Sequence, residues 1–394
     1  MRIGILTLHD SVNYGAVLQA YALRSYLTAL GHEAVVIDRR RNPDLTLRTP
    51  PFQPRTFRLF GIFPCEARDG LREACVRIAR TEEFLLQNVG LTPCRFCDWR
   101  DAPADLGLDL IVVGSDQVWN ASNLDPADYL LRNVPGGVPG IAYAASIGMP
   151  AFPADQVETF RAGLAGFAAI GVREREAVEA VRALGFAAEH VVDPVLLAGR
   201  TAWDGLLAAE PAEPGRVFAY FLMEHLNETA SSLARFAHGR CSRVDLFVDW
   251  FERKTPQGIG RWLKNRRHAA KLSRTGVDLR LDAGPVEFLR SIAASEVVVS
   301  NSYHALMFAL LLGKEVRIVL PTHPARRKMN ARLREFENLV TGAPLVLPDL
   351  AAALSSLESG ERISVRTEEL SARIAASRDW LVRALGGVAA ARGK

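Results

Sequence analysis

Val299-Ser300-Asn301-Ser302-Tyr303-His304 runs at once into the apolar stretch Ala305-Leu306-Met307-Phe308-Ala309-Leu310-Leu311. Val297 to Val299 reads as a buried strand, and the run after His304 reads as a helix. Two serines, an amide and an imidazole therefore sit where a strand turns into a helix. Open α/β sheets bind their ligands outside the carboxyl ends of the strands. A helix N-terminus at that place also offers free backbone N–H groups to an anion. The turn is thus predicted to hold a negatively charged small molecule, beside a histidine able to move protons near neutral pH.

The same alternation extends outward along the chain. Arg2–Leu8 reads as a strand and His9–Tyr14 as a polar loop. A helix follows from Gly15 to Leu30, with Val17, Leu18, Tyr21, Ala22, Tyr26 and Leu27 at helical spacing. Gly31 stops it, and Ala34–Ile37 reads as a second strand, completing a unit of the kind that implies parallel strands. Leu108–Val113, Ile141–Ala145, Ala168–Val172 and Val191–Val192 read as further strands, with a helix over Glu174–Leu184. In the second half Val217–Leu222, Val244–Val248, Val297–Val299 and Val316–Leu320 read as strands. Helices are expected there from about Leu226, Val286, Tyr303 and Ala331. The fold class is α/β. The expected division is a Rossmann-like domain over 1–200 with an insertion at about 39–100, and a second over 201–360. A C-terminal helix within 361–394, about Thr367 to Leu385, packs back on the first. Pro194 to Gly215, without strong periodicity, reads as the junction.

The chain has 394 residues, 49% of them hydrophobic, enough for two ordinary domains rather than one core. No apolar stretch reaches transmembrane length, and the first residues lack a signal-peptide layout, so a cytoplasmic protein is expected. A formal net charge of +4 suits anionic substrates mildly and gives no reason to invoke nucleic acid. Five cysteines in such a chain read as reduced thiols. Cys94 and Cys97 have metal-ligand spacing, but Cys65 and Cys75 do not complete a set, so no metal is expected.

Polar clusters follow four of the strands: Asn13, Tyr14 and Gly15 with His9 and Asp10; Ser115, Asp116, Gln117, Trp119 and Asn120; Arg173 and Arg175; and Ser300, Asn301, Ser302 and His304. In doubly wound sheets these ends share one edge, so two facing domains would line one cleft. His304, beside Ser300, Asn301 and Ser302, is read as catalytic. Arg173 is read as a fork for carboxylate or phosphate, with Arg175 a weaker second. Asp116 has two readings, a loop carboxylate capping a helix or a base for a sugar hydroxyl. Trp119 likewise has two, a packing anchor or an indole face that stacks on a sugar.

Several of these strings together resemble the polysaccharide pyruvyl transferase family. They are Ile3–Thr7 running into Asn13-Tyr14-Gly15-Ala16-Val17-Leu18-Gln19-Ala20-Tyr21, then Asp109 to Asn120 with Gly114-Ser115-Asp116-Gln117-Val118-Trp119. Tyr143 to Gly148 with Val172–Glu176, then Val192-Asp193-Pro194, and finally Gly284–Leu289 leading into the His304 turn, complete the order. Tyr303 and Ala305 stand where family members often have Phe and Gly. The resemblance implies two Rossmann-like domains facing a central cleft, a GT-B-like arrangement. It also implies transfer from phosphoenolpyruvate to two hydroxyls of a sugar, giving a cyclic ketal and phosphate with no cofactor. The acceptor would be a glycan, a lipid-linked sugar or a nucleotide-activated sugar. Two other readings stand beside it: a nucleotide-sugar glycosyltransferase, and a non-catalytic sugar- or anion-binding protein on the same fold. The basic stretch Arg261 to Arg274 reads as a solvated helix face, with an anionic acceptor or the anionic membrane surface as its alternative partner.

Overall fold

A computed structural model of the chain describes residues 1–40, 72–121, 126–149, 151–207, 213–222, 226–239, 243–248, 267, 270–272, 274–320, 333, 337, 346–360 and 366–392. Two six-stranded sheets, every pairing in them parallel, organise these residues. The first contains β1 (Arg2–Leu6), β2 (Glu33–Val36), β3 (Leu110–Val113), β4 (Gly140–Ala145), β5 (Phe167–Val172) and β6 (Glu189–His190), in the order β2-β1-β3-β4-β5-β6. The second contains β7 (Val217–Phe221), β8 (Val244–Val248), β9 (Asp278–Leu279), β10 (Val297–Ser300), β11 (Glu315–Val319) and β12 (Val346–Leu347), in the order β12-β11-β10-β7-β8-β9. Each order reverses once, between β1 and β3 and between β7 and β10. Ligand crevices form at such switch points, outside the carboxyl ends of the strands.

The expected strand cores are present, with ends moved by a residue or two. Val191 and Val192 are a correction: β6 ends at His190, and the two valines follow it. The stretch read as the junction contains α5 (Pro194–Ala198), a short 3-10 turn and α6 (Asp204–Leu207). These pieces are too short for a helical period to register. In the expected insertion, α2 (Arg72–Phe84) passes into one π-helical turn, Leu85–Val89. Val36 and Arg39 then bridge Leu91 and Phe96 beside β2. The helix expected from Ala331 lies largely outside the described residues.

Two helices present their N-termini at the switch points. Helix α1 (Tyr14–Ala29) follows β1, and α9 (Tyr303–Leu311) follows β10; α8 (Pro285–Ala294) packs beside them. Buried Tyr14 stacks on Phe288 of α8, with ring centroids 4.3 Å apart, and its hydroxyl donates to Ala283 O at 2.8 Å. Arg77 of α2 donates to Val12 O after β1 and to Val248 O at the end of β8, each at 2.7 Å. One apolar cluster accordingly runs through both sheets. The C-terminal helix α11 (Thr367–Arg392) returns to the first sheet, as expected. Ser377 Oγ accepts from Val192 N–H at 3.0 Å, and Arg378 donates to Leu197 O at 2.8 Å. Among the described residues no helix is long and apolar enough to cross a membrane.

Candidate functional site

His304 is the second residue of α9, and its imidazole lies against the second residue of α1. A Cβ placed on Gly15 would fall 2.2 Å from His304 Nδ1, so the approach of the two helices requires glycine there. The other ring nitrogen, Nε2, faces Asp193 Oδ2 at 3.6 Å. That is ion-pair distance, beyond a hydrogen bond, and among the described residues Nε2 has no hydrogen-bond partner. Such contacts in unliganded sites commonly tighten once substrate is bound.

Asp193 is wholly buried at the start of α5, where its Oδ1 accepts from Val195 N–H at 3.0 Å. Its Oδ2 accepts from Arg173 Nη1 at 2.9 Å and from Ser115 Oγ at 3.4 Å. Burial alone would push this carboxyl up. The His304 ring, the Arg173 guanidinium and the Val195 N–H outweigh burial and hold it well below the ordinary carboxylate range. Asp193 therefore stays ionised, a fixed negative charge joining residues from both sheets.

Arg173 leaves the end of β5 and is surrounded by acids. Besides Asp193 it meets Glu174 Oε1 through Nε at 3.4 Å and Asp116 Oδ1 through Nη2 at 3.7 Å. Its guanidinium carbon lies 4.7 Å from the centroid of the Tyr303 ring. Burial would lower its value, but Glu174, Tyr303, Asp193 and Asp116 raise it, so it is permanently charged. With its side chain 2% exposed and committed to carboxylates, Arg173 is not an open fork. The expectation of an open anion fork at Arg173 is corrected on this point: the guanidinium organises acids, although it does meet the same carboxylate as His304. Arg175 opens α4 (Arg175–Ala183) and is exposed.

The remaining expected residues divide between the site and its framework. Asp116 has a positive φ of 67°, a conformation that Asp tolerates better than most residues, and its side chain is 16% exposed at the site. Ser115 is buried, touching Asp193 through its hydroxyl and Gln19 Oε1 through its N–H at 3.1 Å. Asn301 spans the second switch point: its amide accepts from Leu222 N–H at 2.7 Å and donates to Leu222 O at 3.2 Å. Ser300 Oγ donates to Tyr220 O at 2.5 Å and accepts from Ser302 N–H at 3.0 Å. These two lock strand ends, a correction to their reading as ligands. Ser302 is the N-cap residue of α9 and makes no side-chain cap bond.

Asn13 caps α1, its Oδ1 accepting from Ala16 N–H at 3.2 Å, and Tyr14 is buried as described above, so both are structural. Gln117 is half-buried and accepts from Asn120 Nδ2 at 2.7 Å. Trp119 is fully buried, its Nε1 donating to Tyr129 O at 3.3 Å, so of its two readings the packing anchor is the one that stands. Cys94 is exposed and Cys97 half-buried, while Cys65 lies outside the described residues. Of the basic stretch, Arg267, Lys271 and Arg274 are exposed and most of the rest lies outside the described residues.

Asp193 is the site residue that sequence reasoning passed over. Its signal was present: an Asp-Pro pair opening a helix directly after a short strand, which combines an N-cap with a proline at the first helical position.

The model of the family "Polysaccharide pyruvyl transferase" matches residues 13–323. No curated protein matches the chain. Among solved structures, UDP-N-acetylglucosamine 2-epimerase from Rickettsia bellii is similar at a TM-score of 0.53 and 9% identity, over 98% of this chain and 95% of that one. The Methanocaldococcus jannaschii UDP-GlcNAc 2-epimerase gives 0.48 at 9% identity, over 91% and 92%. A spinosyn rhamnosyltransferase gives 0.45 at 15% identity, over 98% and 100%. At such identities the likeness is one of fold alone.

Proposed function

Because the chain belongs to the polysaccharide pyruvyl transferase family, we propose that this transferase moves the enolpyruvyl group of phosphoenolpyruvate onto two hydroxyls of one sugar. The acceptor is a glycan or an activated sugar, and the product is a cyclic pyruvate ketal. The observation that carries the reading is the meeting of His304 with Asp193 between the two sheets.

Asp193 backs Nε2, so Nδ1, on the side of the ring that packs beside Gly15, is the nitrogen assigned to substrate. His304 gives its proton to the methylene carbon, which becomes the methyl group, and the adjoining carbon becomes oxocarbenium-like. Asp193 supplies a fixed negative charge to hold the ring while the proton moves. One sugar hydroxyl adds to the cationic carbon, the carbon–phosphate oxygen bond breaks, and the second hydroxyl closes the ketal. One proton enters the methyl group, two leave the hydroxyls, and the balance departs with phosphate. Asp116, the most accessible of the three acids around Arg173, receives a hydroxyl proton in this scheme, a role its exposure supports. Arg173 offsets the mutual repulsion of the three carboxylates and keeps Asp193 beside His304.

Phosphate release from phosphoenolpyruvate in the presence of a sugar acceptor tests this reading, alongside melting curves with phosphoenolpyruvate and with nucleotide sugars. A ligand at a hundred times its dissociation constant stabilises the fold by about 2.7 kcal/mol. Stabilisation by nucleotide sugars alone, with no phosphate released under any acceptor, would sink the proposal.

A further inference from the structure

The carboxyl edge of the first sheet carries a second cluster that the reaction above does not use. Just after β2, Asp38 is buried and accepts from Arg40 Nε through Oδ1 and from Arg95 Nε through Oδ2, the latter at 2.8 Å. Arg95 also donates to Glu82 of α2 at 2.9 Å, while Arg40 Nη2 stands 3.6 Å from the same Glu82 oxygen. Burial would raise the Asp38 carboxyl; His9, Arg40 and Arg95 together hold it well below its usual range. Asp38 is thereby a fixed anchor that aims the two guanidinium groups.

What the two acids do not satisfy is the outer end of Arg40. Its side chain is 1% exposed, yet among the described residues neither Nη1 nor Nη2 has a hydrogen-bond partner. Leaving a buried donor unmatched costs about 1–3 kcal/mol, more for a charged group, so a guanidinium in this state calls for an acceptor. Arg95, with its side chain 18% exposed, is the member of the cluster through which solvent reaches it.

The cluster is continuous with the site. His9 after β1 faces Asp38 Oδ1 at 3.3 Å through one ring nitrogen and Thr7 O at 3.1 Å through the other. Thr7 Oγ1 donates to Ser115 O at 2.9 Å, and Ser115 touches Asp193. β2 lies two strands from β3, a separation of about 10 Å along the edge.

We propose that Arg40 and Arg95 form an anion subsite for a phosphate or diphosphate group, carried by the molecule that reaches from this end of the edge toward His304. Guanidinium forks suit such oxygens, and two of them in fixed orientation bind a diphosphate better than a single point charge does. The subsite rests on the reading of His304 as the reaction centre, and its test reads binding without turnover.

Titration calorimetry of the whole protein with inorganic pyrophosphate and, separately, with phosphoenolpyruvate tests it in three proteins: wild type, Arg95→Gln and Arg40→Lys. The expected result is that pyrophosphate binds the wild type and that both variants weaken it at least tenfold, with melting curves showing folded protein. Unchanged phosphoenolpyruvate binding would assign the subsite to the acceptor; a matching loss would assign it to the donor. If Arg40→Lys fails to fold, the partly exposed Arg95 decides through its own variant. Pyrophosphate that does not bind the wild type at millimolar concentration, or binds folded Arg95→Gln equally well, overturns the subsite and leaves the cluster as a structural ion network.

Discussion

At the scale of single residues, the arrangement around His304 separates chemistry from support. Replacing His304 by alanine should lower turnover by about 10² to 10⁴ if the ring acts as a general acid. It should leave the melting temperature close to wild type, because the ring fills a helix N-terminus rather than the core; full activity in that variant would dismiss the ring from the chemistry. Gly15→Ala tests the same place from the other side. The new methyl would lie 2.2 Å from Nδ1, so the ring must turn away from Asp193 or the helices must part. Turnover should fall at least tenfold in a folded protein, read as phosphate release beside a melting curve. The sequence reading expected His304, Asp116 and Arg173 at one cleft because each follows an apolar strand. It could not place Asp193 beside them, since a carboxylate's partners from distant strands leave no trace in local spacing.

Among the elements, the turn after β10 does two jobs that the string Ser300-Asn301-Ser302 does not distinguish. Ser300 and Asn301 tie β10 to β7 at the switch point, and only the helix that follows reaches the site. Asn301→Ala orphans both the N–H and the carbonyl of Leu222, each at a cost of about 1–3 kcal/mol, so a clear drop in denaturant midpoint is expected. Activity per folded molecule should change much less than in His304→Ala. An unchanged midpoint would return Asn301 to the list of ligand candidates. The short helices at 194–207 escaped the sequence reading for a related reason: one turn or two cannot display a period, and the packing of α5 on α1 and of α6 on α8 is what fixes them.

For the whole molecule, the returning helix α11 ties the chain's end to the residues that carry the site. His190, at the end of β6, faces Arg173 O at 2.9 Å through Nε2, and its Nδ1 meets Arg373 of α11. Burial first, and then the Arg373 charge, lower its value to about 4 from an ordinary value of 6.5. The folded ring thus refuses a proton that the unfolded ring accepts below 6.5. Its contribution to stability is complete above that pH and declines as pH falls toward 4. His190→Gln should flatten the loss of melting temperature between pH 6.5 and 4; a variant as acid-sensitive as wild type would place the sensitivity elsewhere. From sequence alone came the two parallel α/β halves and the returning helix. Hydrophobic runs and strand-to-helix turns are local signals, and a local signal suffices for them. Only the tertiary structure decided that Arg173 is consumed by three carboxylates and that Asp193 rather than a neighbour backs His304. It likewise decided that Trp119, Tyr14, Ser300 and Asn301 are framework. Burial, charge balance and hydrogen-bond partners arise between segments far apart in the chain, and they exist only once those segments have packed.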